Sequence, residues 1–173
     1  MEDIKMKILE TERLMLREFT ADDSEFIIKL FNSPGWLQFI GDRGIKTTDA
    51  AKKYIAEKYL HSYEINGFGI YMTLIKNNNI PIGMCGLVKR ETLVDVDIGF
   101  AFLPEFTGHG YAFEAASATL NYAASKLKLQ RIVAITTENN LNSIKLLKKL
   151  KMKFEKKIMM AGDEEELMLF SNS

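Results

Sequence analysis

Apolar and charged positions alternate in "ERLMLREF", where Leu14 and Leu16 fall on one side and Arg13 and Arg17 on the other. A period of two predicts a half-buried strand. Thr20, followed three residues later by Asp23, reads as a helix start, and Phe26, Ile27, Leu30 and Phe31 form one apolar face before "NSPG" stops it. A looser stretch, "WLQFIGDRGIK", leads to Thr47 or Thr48 as the cap of a second helix. That helix carries Ala50, Ala51, Tyr54, Ile55 and Lys58 at helical spacing and ends near Asn66-Gly67. Three strand-like runs follow, "FGIYMTLIK", "IPIGMCGLVKR" and "VDVDIGFAFL", divided by "NNN" and "ETL", connections short enough for antiparallel hairpins.

A helix from about Tyr111 to Lys128 comes next, then the continuous apolar strand "RIVAITT", a last helix "NSIKLLKKLK", and a closing hairpin of "KFEKKIMM" and "EEELMLF" around "AGDE". The order β-α-α-β-β-β-α-β-α-β-β mixes hairpins with crossovers, so the expected class is α+β or mixed α/β. With no repeat, low-complexity tract or linker, residues 1–173 are expected to form a single domain.

Composition narrows the function. Twenty-three Lys and Arg balance twenty-three Asp and Glu, so no global field draws in nucleic acid or an anionic membrane, and any anion site has to be local. "MEDIKMKILE" has no long apolar leader core, and no window approaches a membrane span, which predicts a cytoplasmic chain. The single cysteine, Cys85, excludes an intrachain disulfide framework and a cysteine-rich metal site; with two histidines, no structural zinc is expected.

Residues 103–116, "LPEFTGHGYAFEAA", set two glycines and a histidine between a strand-like run and an alanine-rich helix. The first helical turn presents N–H groups without intrahelical partners, and the helix dipole adds positive potential there. Gly108 and Gly110 let backbone approach a ligand closely and tolerate positive φ. On these grounds the junction is either a tight turn or a cradle for phosphate. The chain contains neither G-x-G-x-x-G nor a P-loop sequence, which argues against both of those phosphate readers.

The run "DIGFAFLPEFTGHGYAFEAA" resembles the acetyl-CoA-binding motif of the GNAT superfamily of N-acetyltransferases, whose phosphate loop falls here on Thr107-Gly108-His109-Gly110-Tyr111-Ala112. "TERLMLREFTADD" is similar to the opening of the branch that includes ribosomal-protein N-terminal acetyltransferases, and "TENNLNSIKLLKKLKMKF" to its ending. The resemblance implies a mixed, centrally splayed sheet and transfer of an acetyl group from acetyl-CoA to a primary amine. Transfer would proceed by direct attack in a ternary complex, with the oxyanion held by a backbone N–H of the fourth strand and no metal. A protein N-terminal amine is the first choice of acceptor, ahead of an amino acid, polyamine or antibiotic amine. Nucleic acid and membrane are not expected partners, and oligomeric state stays open between monomer and homodimer.

The same resemblance implies that Phe100, Ala101 and Phe102 offer strand backbone to pantetheine, and that the N–H groups of Gly108, His109, Gly110, Tyr111, Ala112 and Phe113 face the pyrophosphate. Asn140 matches a residue that contacts coenzyme A; its other reading is the cap of the last helix, and one residue can do both. Ser143 matches a candidate proton donor to the departing thiolate, or is an ordinary first-turn serine. Asp97 stands where relatives often carry a glutamate beside the acetyl group. It is the candidate base, with a solvated strand face shared with Asp95 as the alternative.

Glu114 is expected to be structural, His109 an exposed loop residue, and Cys85 a buried inert thiol. Trp36, Phe39 and Arg43 lie in the segment that in the family walls the acceptor site; core packing for the aromatics and a surface position for Arg43 is the other reading. Three positions depart from the pattern: Thr107 replaces the usual Gln, Arg or Trp, Lys153 replaces a glycine, and Leu147 stands where many members carry a tyrosine acid. These departures keep a catalytically idle coenzyme A sensor or interaction module in view as the rival class.

Overall fold

A computed structural model describes residues 6–173, so the leader-free start read from residues 1–10 lies partly outside the described residues. One eight-stranded sheet organises the chain: β1 (Lys7–Glu10), β2 (Leu14–Arg17), β3 (Ile70–Ile75), β4 (Ile80–Val88), β5 (Val96–Phe102), β6 (Ile132–Thr136), β7 (Lys153–Ile158) and β8 (Leu167–Ser171). Their spatial order is β1-β2-β3-β4-β5-β6-β8-β7. Every neighbouring pair is antiparallel except β5 and β6, which are parallel. The mixed α/β class expected from the sequence is the one observed.

The helices are α1 (Ser24–Phe31), α2 (Pro34–Phe39), α3 (Thr48–Tyr54), α4 (His61–Asn66), α5 (Tyr111–Ser125) and α6 (Leu141–Lys149). Thr47 caps α3, its Oγ accepting from Ala50 N at 3.2 Å, and Gly67 closes α4 in the left-handed conformation. Between α3 and α4 the backbone is π-helical over Ile55–Leu60. This widening brings Tyr59, five residues after Tyr54, back toward the same side, where the two rings meet edge to face at 5.6 Å.

Three features differ from the sequence expectation. Strand β1 was not foreseen because "KILE" has no alternation of its own; it borrows its form from pairing with β2. Pro34 does not only stop α1: with Ser33 before it, it occupies the first turn of α2. The helix start at Thr20 and Asp23 is a capping box over a 3-10 turn, Ala21–Asp23, with α1 beginning at Ser24. Asp23 also takes two 2.9 Å bonds from the buried Arg17 guanidinium, tying α1 to β2.

Side chains alternate across the sheet, and each face has its own core. On one side Leu16, Tyr71, Cys85, Leu87 and Ile98 pack against Ala115, Ala116 and Ala123 of α5 and Leu147 of α6, the small alanines letting α5 sit close to the strands. On the other, Phe19, Ile27, Phe31, Trp36 and Tyr59 close over Ile70, Met72, Leu74 and Met84. Among the described residues no helix is long and apolar enough to cross a membrane.

The parallel pair is short. Only Val96 with Ile132 and Asp97 with Val133 are matched, after which β5 runs on to Phe102 and β6 to Thr136 without further pairing between them. The sheet is therefore splayed at its centre. Just outside the closed end, Arg131 donates Nε to Asp95 at 3.0 Å and both Nη to Glu155 at 2.8 Å, and Ser171 Oγ donates to Glu155 at 2.6 Å.

Candidate functional site

Two parallel neighbours followed by crossover helices deliver their chains to the same end of the sheet. The N-termini of α5 and α6 thus both lie at the open end of the splay, the usual place for a ligand in sheets with parallel strands. The edge of β5 that faces the gap follows from its other edge. Leu103 N bonds Ile82 O at 2.9 Å, and bonded pairs recur every second residue in an antiparallel ladder. Ala101 and Gly99 therefore turn their backbone groups toward β4, while Phe100 and Phe102 turn theirs toward the splay. Of the three strand residues expected to offer backbone to a ligand, Phe100 and Phe102 are open to it and Ala101 is committed to Met84.

The loop after β5 begins with a 3-10 turn, Pro104–Phe106, on which Thr107 Oγ donates to Pro104 O at 2.8 Å. Thr107 thus stabilises its own turn. Gly108 and Gly110 follow at φ +80° and +81°, conformations in which a Cβ would be strained, and Gly110 caps α5. The first helical bond runs from Glu114 N to Gly110 O at 3.1 Å. The N–H groups of Tyr111, Ala112 and Phe113 therefore have no helical acceptor, and none of those on Gly108, His109 and Gly110 meets a carbonyl among the described residues. A Cβ on Gly108 would stand in open space, whereas one on Gly110 would lie 3.3 Å from Arg13 Nη2.

Arg13 is the residue that sequence reasoning missed here. Its Nη1 donates to His109 O at 3.0 Å, its Nε to Glu114 Oε2 at 2.7 Å, and its guanidinium lies 4.5 Å over the Tyr111 ring. The other Glu114 oxygen accepts from Arg13 N at 2.9 Å and Thr11 Oγ at 2.5 Å. Burial acts to raise the Glu114 carboxyl, but the bonds from Thr11 and Arg13 outweigh it and hold it below its ordinary value. Lys149 of α6 adds a second cation, its Nζ 4.3 Å from the Phe113 ring centre. With Glu114 offsetting Arg13, Lys149 leaves a net positive charge beside the first turn of α5, the local potential that an anion needs. Nothing in the sequence signals Arg13, since a charged residue in an alternating strand reads as facing water.

Asn140 caps α6, its Oδ1 accepting from Ser143 N at 3.2 Å. Ser143 is half-buried, and no partner among the described residues engages its hydroxyl. The alternative reading of Asp97 as part of a solvated strand face does not hold: Asp97 is only 1% exposed and accepts from Arg90 Nε at 2.9 Å. Burial pushes its carboxyl up, and Arg90 pulls against that. Asp97 sits on the last matched pair before the strands part. Asp95 belongs to the Arg131 cluster instead.

Leu147 is buried in the core against α5 and has no access to the gap. Cys85 is fully buried beside Thr119 Oγ at 3.4 Å, and burial pushes its thiol up to about 12, which fits an inert packing residue. His109 is exposed, its ring 5.8 Å from that of Tyr111. Trp36 is buried and stacked on Phe31 at 4.0 Å, Phe39 is half-buried, Arg43 is exposed, and Lys153 opens β7 on the outer edge. Trp36 is thus part of the second core.

A splayed mixed sheet, with a glycine loop and two helix starts at its open end, offers a cleft suited to an extended ligand with an anionic end. Residues 13–153 match the family described as Acetyltransferase (GNAT) domain, and the chain belongs to that family of N-acetyltransferases. It is 32% identical over 151 residues to the uncharacterized N-acetyltransferase YoaA of Bacillus subtilis (strain 168), covering 86% of this chain and 83% of that protein. With the uncharacterized N-acetyltransferase YnaD of the same organism it shares 27% identity over 157 residues and 89% of each chain. Its fold is also that of the ribosomal L7/L12 alpha-N-protein acetyltransferase RimL in complex with coenzyme A, with a TM-score of 0.81 at 16% identity over 96% of this chain and 97% of that one.

Proposed function

We propose that this acetyltransferase, acting as a single cytoplasmic domain, moves the acetyl group of acetyl-CoA to a primary amine held in the same complex, with a protein N-terminal amine as the first choice of acceptor. The observation that carries the reading is the coincidence, at the open end of the splay, of unpaired β5 backbone with six unpartnered N–H groups around Gly108 and Gly110. The fit is chemical: extended amide-bearing pantetheine matches the edge of a strand, and pyrophosphate matches a helix N-terminus flanked by Arg13 and Lys149. The bound donor supplies a thioester whose carbonyl carbon accepts the amine nitrogen, forming C–N and breaking C–S.

The chain's own groups manage position and protons. Phe100 and Phe102 present backbone N–H and C=O to the donor arm, and residues 108–113 hold its anionic end. Asp97, with its proton affinity raised by burial, takes the amine proton directly or through water. The hydroxyl of Ser143, held at the start of α6 by the Asn140 cap, gives a proton to the departing thiolate. The ribosomal-protein relative supports a protein N-terminus as acceptor.

A screen of peptide N-termini, amino acids, polyamines and aminoglycosides, following release of free coenzyme A thiol, tests the assignment. Thiol release with at least one amine class is expected. A rise in the unfolding midpoint with acetyl-CoA but no thiol release across the screen would leave only the idle coenzyme A binder, and an equal rise with ATP would remove coenzyme A altogether.

A further inference from the structure

We infer that Arg13 is a positioning residue for the donor's anionic end: it locks the Gly108–Gly110 loop from behind so that the free N–H groups converge on one point. This rests on the assignment of that loop to pyrophosphate. The peptide between His109 and Gly110 has its carbonyl on one side and its N–H on the other. Fixing His109 O on Arg13 Nη1 at 3.0 Å fixes where Gly110 N–H points. The same guanidinium grips Glu114 at 2.7 Å and covers Tyr111 at 4.5 Å, so loop and first helical turn are referred to one planar group.

Glu114 is in turn held by Arg13 N and Thr11 Oγ, contacts that anchor the clasp to the turn between β1 and β2, about a hundred residues away along the chain. That turn is itself ordered by Thr11 N to Leu14 O at 2.9 Å and Lys76 Nζ to Thr11 O at 2.9 Å. The geometry also removes a competing anion. Glu114 lies in the first turn of α5, where an unpaired carboxylate would repel phosphate, and the ion pair with Arg13 offsets its charge there.

The test compares two donors, acetyl-CoA and acetyl-pantetheine, which lacks the pyrophosphate, with the best amine from the screen. Arg13→Gln and Arg13→Lys are measured beside the unaltered protein, with circular dichroism on each. Both variants are expected to raise KM for acetyl-CoA about tenfold, the loss of a charged hydrogen bond. Both should leave kcat, and kcat/KM for acetyl-pantetheine, within about twofold. The lysine variant keeps the charge and loses the fork, so it should fold normally and still show the defect. Equal losses with both donors would assign Arg13 to general stability and overturn the inference, as would an unchanged KM in the lysine variant. If the unaltered protein uses both donors equally well, the pyrophosphate assignment of the loop fails first and the role of Arg13 fails with it.

Discussion

Gly108 and Gly110 share a backbone conformation and differ in surroundings, which makes them a matched pair for substitution. At φ +80° and +81°, alanine at either position takes on the left-handed penalty, roughly 1–2 kcal/mol of folding stability. At Gly108 nothing more is lost, because the new Cβ meets open space. At Gly110 it would lie 3.3 Å from Arg13 Nη2, so the guanidinium has to give by a few tenths of an ångström and loosen its bonds to His109 O and Glu114. Charged hydrogen bonds contribute about 1.5–3 kcal/mol each when fully made, and Arg13 is nearly half exposed, so their partial loss adds up to about 1 kcal/mol.

Urea unfolding should therefore rank Gly110→Ala below Gly108→Ala by that margin. Gly110→Val, with a β-branched side chain, should remain partly folded and lose acetyl-CoA binding in calorimetric titration, whereas His109→Ala keeps every N–H and should bind nearly as before. Normal binding by folded Gly110→Val would refute the cradle. Equal destabilisation by the two alanines would refute the contact with Arg13, and equal binding losses at Gly110 and His109 would move the weight from backbone to imidazole.

Three further outcomes are expected. Ser143→Ala should lower kcat by roughly 10²–10⁴-fold while leaving acetyl-CoA affinity intact, the range of general acid catalysis; an unchanged kcat would give the proton to water. Asp97→Asn should lower kcat with partial recovery at higher pH, where more amine is already neutral; because burial raises the Asp97 carboxyl, the acid limb of the unaltered protein's rate profile should lie above the ordinary carboxylate range, and an acid limb that the asparagine variant retains unchanged would exclude Asp97 as base. Glu155 is held down to about 2 by Arg131 and Ser171, so its folded value is depressed. Its contribution to stability is present above its ordinary value near 4.5 and lost as pH falls from there toward 2. Thermal midpoints of Arg131→Gln should fall less steeply than those of the unaltered protein over that window, and parallel slopes would show the cluster to be inert.

Element order was legible in the chain because the long elements carry strong periods: the alternation at Leu14 and Leu16, the alanine face of α5, and the cap at Thr47 all point the same way. The short ones were not. Strand β1 and helix α2 owe their form to neighbours and to Ser33-Pro34, and the π-helical turn leaves no mark in the sequence. The splay was reached through family resemblance alone, since nothing in "RIVAITT" says that its pairing with β5 stops after two residues. At the site, the positive φ of Gly108 and Gly110 was readable from residue type, but the burial of Asp97 and the clasp of Arg13 on Glu114 depend on partners supplied by folding.

A sheet that parts at its centre has four free margins where an ordinary open sheet has two. The outer margin at β7 is guarded in the usual manner, by exposed Lys153, Lys156 and Lys157 that discourage another chain from adding a strand. The inner margin along β5 has no such guard, for it carries Ile98, Phe100 and Phe102 and no charge beyond Asp97. Its protection against aggregation is architectural, coming from the helical layers packed on the two faces of the sheet. Loosening α5 or the α1–α4 layer is therefore expected to uncover the two inner β-margins, along β5 and β6, neither of which carries a lysine.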